Sequence, residues 1–240
     1  MSIVVCVPWV KANKYFMDDF LEWYALNKQQ YGLVKHFKMY RPLHEVQAGA
    51  VELARKIGAS HVLFVEDDQS AFPQDGLEYL LAEDKDVIGF PTYFKEYPYY
   101  SMAMRKRDPN ISFLVGESNL QPVAQAGGPV VQKVDLITWA FTLVKTSVFD
   151  RLEADPFAFT GEPPADSYFC EYCERAGIDR WIHFGALIHH GDVDPELIPH
   201  LRRMYAVMAA ERERGVETMA DLSGYAELKM REEKSEEVAA

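Results

Sequence analysis

His61-Val-Leu-Phe-Val-Glu-Asp-Asp-Gln-Ser-Ala-Phe-Pro73 is the stretch that decides how this chain folds. An apolar run, His61 to Val65, gives way without a spacer to three adjacent carboxylates, Glu66, Asp67 and Asp68. A short continuous apolar run bounded by turn signals is the mark of a strand covered on both faces. Its acidic end carries an electrostatic cost, because unit charges about 4 Å apart at an effective dielectric near 20 repel by roughly 4 kcal/mol. Solvent screening or a bound cation must offset that repulsion. Hard divalent ions take oxygen ligands and commonly complete their shell with a substrate's phosphates. The run therefore admits two readings: a solvated acidic turn, or a grip for Mg or Mn carrying a phosphate-bearing ligand.

Outward from this strand, Glu45 to Ile57 carries a helical pattern stopped by Gly58. Ile3 to Val7 is a buried strand expected to end at Pro8, and the helix after it sets Phe16, Phe20, Trp23, Tyr24 and Asn27 on one side. Val34 to Tyr40 is a second strand. Leu77 to Leu81 forms a short helix, and Asp86 to Gly89 another buried strand. Strands alternating with helices imply an α/β domain with a mostly parallel sheet and helices on both faces.

Between Pro91 and Lys133 the period is lost and long loops are expected. There Tyr93, Phe94, Tyr97, Tyr99 and Tyr100 form either a binding surface or a peripheral hydrophobic cluster. Val134 to Lys145 resumes as a strand, with Thr146 to Leu152 a short helix after it. Pro163 and Pro164 suit the first turn of a helix running to Ala176, with Gly177 at its end. Trp181 to Phe184 and Ala186 to His190 are the last strands. From Pro195 onward Leu197, Leu201, Met204, Tyr205 and Met208 trace an amphipathic helix, and beyond Glu211 the chain is highly charged. The expected organisation is one domain over 1–193 and a helical, charged extension over 194–240.

A chain of 240 residues with 48% hydrophobic composition can bury a substantial core. Its net charge of −12 disfavours diffuse attraction to nucleic-acid phosphates or anionic membranes. Arg105-Lys-Arg107 could still line a local groove, although a solvated charge run is the simpler expectation. No apolar run approaches the roughly 18 residues of a membrane span. The opening Met-Ser-Ile-Val-Val-Cys-Val lacks the marks of a signal peptide, so a cytoplasmic location is expected. Three cysteines argue against a disulfide framework. Cys170 and Cys173, with His189 and His190, permit a zinc site, but both cysteines fall on the apolar side of their helix, where packing is the simpler account.

Three separated segments carry a further pattern: Leu63-Phe-Val-Glu-Asp-Asp-Gln-Ser-Ala-Phe-Pro73, then Ala165-Asp-Ser-Tyr-Phe-Cys-Glu-Tyr-Cys-Glu-Arg-Ala-Gly177, then Ile188-His-His-Gly191. Val134 to Phe149 lies between them. In this order, over residues 3 to 192, they resemble the GT-A glycosyltransferases of the family-2 type found in small bacterial and phage proteins. The resemblance implies a Rossmann-like mixed sheet flanked by helices, a UDP- or GDP-sugar donor, a Mn or Mg ion, and inverting transfer to an acceptor hydroxyl. It leaves the acceptor open among glycan, protein and modified nucleobase.

Carried over by position, Asp68 matches the metal-binding end of the acidic motif. Glu66 stands where ribose or metal is contacted, and Asp67 is the middle member. Pro8 and Trp139 join Glu66 and Asp67 as expected donor-site residues. His189 matches the additional metal ligand, with His190 the competing choice, since only one side of a strand can face the site. Asp166 matches the general base of inverting members. Its spacing to Phe169, Cys170 and Cys173 puts it at the end of the helix's inward face, where the helix N-terminus favours an ionised carboxyl. An acid that merely serves the dipole is the alternative.

The chain departs from the family at Ala165, where a glutamate is usual, at Gln47, where an arginine is usual, and at Pro8-Trp9, where proline with a small polar residue is usual. A changed donor preference is the expected result. Two other functions fit the same residues. One is a metal-dependent phosphoester hydrolase using Asp67, Asp68, His189, His190 and Asp192, which requires two metals about 4 Å apart. The other is a non-catalytic nucleotide-sugar binding module.

Overall fold

The computed structural model describes residues 1–9, 14–92, 101–112, 119–123, 130–153, 155–157 and 165–191. The aromatic residues Tyr93, Phe94, Tyr97, Tyr99 and Tyr100, the Pro163–Pro164 pair, Asp192 and the expected C-terminal helix and tail lie outside the described residues.

The first half alternates as its periodicity requires: β1 (Ile3–Trp9), α1 (Lys14–Tyr31), β2 (Leu33–Met39), α2 (Leu43–Ile57), β3 (His61–Val65), the two-residue β4 (Gln69–Ser70), α3 (Gly76–Ala82) and β5 (Val87–Gly89). The second half holds β6 (Met104–Lys106), β7 (Leu120–Pro122), β8 (Val131–Val134), β9 (Phe141–Lys145), a 3₁₀ turn (Thr146–Asp150), α4 (Ala165–Arg175), β10 (Arg180–His183) and β11 (His189–His190). Gly58 ends α2 at φ 66°, a left-handed conformation that costs glycine little, as the sequence predicts. Among the described residues no helix is long and apolar enough to cross a membrane.

Seven strands form one sheet in the order β2-β1-β3-β9-β5-β10-β8. Alternation predicts a mostly parallel arrangement, but β9 runs against both of its neighbours and β8 runs against β10, so half of the six pairings are antiparallel. Parallel pairing needs a crossover, usually a helix. The chain enters β9 from β8 through residues 135–140 with no helix between them, so no crossover fixes its direction.

Several bounds also differ from expectation: the expected strand Ala186 to His190 is strand only at His189–His190, and β6, β7 and most of β8 lie in the stretch expected to be loops. Strand β1 continues through Pro8 to Trp9. Ile3 N donates to Gly32 O on the β2 side, so by alternation the Pro8 nitrogen faces β3, beyond the last β1–β3 pair at Cys6 and Phe64. No ladder bond is lost there. The predicted strand Val134–Lys145 is divided between β8 and β9 because Asp135 and Leu136 are claimed elsewhere. Both of their main-chain N–H groups donate to Met104 O, and the Asp135 carboxylate accepts from Lys106 N at 2.8 Å.

The apolar runs are continuous because both faces of the sheet are covered. In β1, Val4 and Cys6 face Val46, Ala50 and Ala54 of α2, in a core that also holds Phe169, Cys170 and Cys173 of α4. Ile3, Val5 and Val7 face the other way, into a core with Phe16, Phe20 and Trp23 of α1 and Leu77 and Leu80 of α3. Phe16 and Phe20 stack at 4.9 Å between centroids, and Trp23 meets Phe141 edge-on at 5.2 Å. Burying each such side chain contributes about 1.5–3 kcal/mol. At Gly89 the β5 and β9 backbones approach so closely that an added Cβ would lie 2.9 Å from Phe141 O.

Candidate active site

Parallel strands in one register end together at one edge of a sheet. Pro8 and Glu66 each lie two residues past the last β1–β3 pair, Cys6 and Phe64, so both stand at the carboxyl edge, where open α/β sheets bind ligands. Glu66, Asp67 and Asp68 make the turn that leaves this edge, and β4 then pairs antiparallel with β11, Ser70 opposite His189 and Gln69 opposite His190. Gly191 N donates to Asp68 O at 2.7 Å and continues the pairing by one bond. Residues far apart in sequence thereby meet. His190 Nε2 lies 3.3 Å from Asp68 Oδ2. Neighbouring strand residues point to opposite sides, and His189 is buried, so the imidazole beside Asp68 belongs to His190.

Gln69, which sequence reasoning passed over, sits at the centre of this turn with 0% of its surface exposed. Its Nε2 donates to Asp68 Oδ1 at 3.0 Å and approaches Glu66 Oε2 at 3.5 Å. The buried Thr92 hydroxyl donates to its Oε1 at 3.3 Å. On the far side of the turn Ala71 adopts φ 57°, and its N–H donates to the Asp19 carboxylate of α1 at 2.7 Å. A left-handed non-glycine residue costs roughly 1–2 kcal/mol. The Asp19 bond and Phe72, which packs against Phe16, Phe20 and Phe141, hold it in place.

Whether these donors suit a divalent ion can be judged from their spacing. Octahedral ligands about 2.1 Å from an ion lie about 3 Å from one another, and the Asp68 and His190 donor atoms, 3.3 Å apart, match two adjacent positions of such a shell. Among the described residues no three His, Cys, Asp or Glu side chains form a complete metal-binding group. An ion held through one or two protein ligands plus substrate phosphates requires no third. The pair fits that mode.

Asp166 occupies the first turn of α4, and its Oδ1 accepts from Ser167 N at 2.9 Å. Burial pushes its carboxyl up to about 6, against the opposite pull of the Ser167 and Asp166 amides. The helix N-terminus thus does not dominate as sequence suggested, although a group titrating near 6 is still mostly ionised at neutral pH. Trp139 lies in the core with 2% exposure, against Phe64 and Phe169 at 4.5 Å each. In this arrangement its ring serves packing rather than a cleft surface. Gln47 is fully buried on α2, and among the described residues neither polar atom of its side-chain amide has a hydrogen-bond partner.

The cysteine pair belongs to the core. Cys170 Sγ accepts from Ile137 N and donates to Ile137 O; burial pushes its thiol up to about 12 and that of Cys173 higher. Both pack as small hydrophobes. The basic run is not simply solvated: the Lys106 side chain is 5% exposed and pairs with Glu174 at 2.6 Å, while Arg105 donates to Lys133 O.

No protein-family model and no curated protein matches this sequence. Solved structures do match its fold. Over 79% of this chain and 85% of the other it is similar to the crystal structure of A197 from STIV, with TM-score 0.50 and 13% identity. Over 88% of this chain and 48% of the other it is similar to GalNAc-T7, solved with UDP, GalNAc and Mn2+, with TM-score 0.53 and 8% identity. The chain spans about half the length of GalNAc-T7. At such identities the likeness establishes fold alone: a mixed seven-stranded sheet with flanking helices, matching GT-A proteins.

Proposed function

We propose that this chain is a metal-dependent glycosyltransferase that moves a sugar from a nucleotide-diphosphate donor to an acceptor hydroxyl with inversion. The observation that carries the proposal is the contact of Asp68 with His190 at the carboxyl edge of a GT-A sheet. Asp68 and His190 would hold the ion, with Glu66 and Asp67 beside them on the same turn facing the donor and Pro8 shaping the adjoining edge. An imidazole ligand favours a transition metal over Mg. The UDP and Mn2+ bound in GalNAc-T7 make a UDP-sugar with Mn the first pair to try.

Held by Asp68 and His190, such an ion would supply neutralisation of the charge on a departing diphosphate. The chain's own residues supply the remaining steps. Asp166, ionised above about pH 6, would accept the proton of the acceptor hydroxyl as its oxygen attacks the anomeric carbon in line. Ala71, strained and tied to Asp19, keeps the acidic turn in one geometry.

Thermal-shift titration of the full chain with UDP- and GDP-sugars, with and without Mn2+, tests the proposal. A ligand bound only by the folded state raises the midpoint, and the expected result is a shift that needs both metal and nucleotide. Indifference to every pair overturns the proposal. Phosphate release without sugar transfer would favour the hydrolase, and donor binding without turnover the binding module.

A further inference from the structure

The acidic turn holds a residue whose chemistry is opposite to that of its neighbours. Two carboxylates two residues apart at a strand end repel and would rotate toward solvent and away from each other. A buried amide placed between them can prevent this, but only with its NH₂ end toward the acids. Oxygen and nitrogen of an amide are assigned from their hydrogen bonds, and here the carboxylates make the assignment. An ionised Asp68 Oδ1 or Glu66 Oε2 can only accept, so Nε2 faces them and Oε1 is left to accept from the Thr92 hydroxyl. The main chain of Gln69 is itself fixed opposite His190.

We infer that Gln69 is a positioning residue for the cation site: its amide, secured at Oε1 by the Thr92 hydroxyl, holds the Glu66 and Asp68 carboxylates together and keeps Asp68 facing His190. This rests on the metal-binding reading of the turn. Gln69 meets Glu66 at Oε2 and Asp68 at Oδ1, whereas the Asp68 oxygen that faces His190 is Oδ2, on the side where a cation would sit. Groups that hydrogen-bond metal ligands orient them, and their loss typically lowers metal affinity by about 10–100-fold.

The test is binding of Mn2+ alone to the full chain, followed by the electron paramagnetic resonance signal of the free ion, beside the metal-free thermal midpoint. Gln69→Met keeps the length of the side chain and removes both amide atoms; it is expected to weaken Mn2+ binding by roughly 10-fold or more. Thr92→Val, which removes only the hydroxyl that secures Oε1, is expected to weaken it by a smaller factor, and Thr92→Ser to restore it. A purely structural role would lower the metal-free midpoint and leave Mn2+ affinity unchanged in the folded variant; that result overturns the inference while sparing the site. Should Gln69→Met fail to fold, Thr92→Val decides by the same criterion. A wild-type chain that binds no Mn2+ overturns this inference together with the metal reading beneath it.

Discussion

The seven-stranded sheet contains β3, the two-stranded β4–β11 pair begins just past the carboxyl end of that strand, and the two are held by different forces. The large sheet is flanked on each face by aromatic and aliphatic side chains, with Phe20, Trp23 and Phe141 on one side and Phe64, Trp139 and Phe169 on the other. Around the small pair the side chains are Asp68, Gln69, Thr92 and His190, and their contacts are directional. Dispersion and area burial tolerate exchange of one apolar group for another of similar volume. A hydrogen-bonded polar cluster does not, since removing one partner leaves another buried and unsatisfied. Stability is therefore expected to reside in the large sheet and chemistry at its edge.

Substitutions can break that division or sharpen it. The largest effect is expected from Asp166→Asn, which should lower sugar transfer by about 10²–10⁴-fold while donor binding in the thermal-shift assay stays nearly intact. Unchanged turnover would remove Asp166 from the mechanism. Next, Phe20→Ala should cost about 3–5 kcal/mol in urea unfolding while the folded fraction binds Mn2+ as before; a parallel loss of metal affinity would show that the two regions are not separable. His190→Ala should do the reverse, weakening Mn2+ by at least about 10-fold with little change in the unfolding midpoint.

The pH dependence of Asp166 sharpens the comparison further. Its folded carboxyl titrates at about 6, above its ordinary 3.8. As a base it works ionised, so the rate should fall as pH drops through about 6. The stability effect has the opposite sign. A carboxyl raised on folding contributes most below its unfolded value, and that contribution is lost as pH rises through about 6. Asp166→Asn should therefore unfold at a higher temperature than wild type at pH 8, with the advantage gone at pH 3. The smallest effect is expected from Ala71→Gly. It relieves a left-handed φ of 57° and should stabilise by at most about 1 kcal/mol; a loss of metal affinity in this variant would show that the strain serves the turn's geometry.

Much of the large sheet is legible in sequence. His61 to Val65 is a strand at the expected bounds, α2 stops at Gly58, and the predicted one-sided set of α1 is buried at Phe16, Phe20, Trp23 and Asn27. The second half is less so. The Val134–Lys145 run has strand character throughout, and nothing in it announces that Asp135 and Leu136 are taken by Met104 and Lys106. At the candidate site the acids and histidines stand out by type, whereas Gln69, Thr92 and Asp19 do not. An amide after three acids, a threonine after a proline and an aspartate in a helix are ordinary until the fold brings them to the same turn.

What the sequence by itself determined is local: which runs are strands or helices, which faces are apolar, and where a strand ends in charge. These depend on neighbours one to four residues apart, through periodicity and turn chemistry. Tertiary structure alone decided that β9 runs against β3 and β5, that His190 rather than His189 meets Asp68, and that Gln69 stands between two carboxylates. The reason is physical: a strand's partner is whichever edge still offers unpaired N–H and C=O groups once the rest of the chain has packed, and no local pattern records which edge that will be.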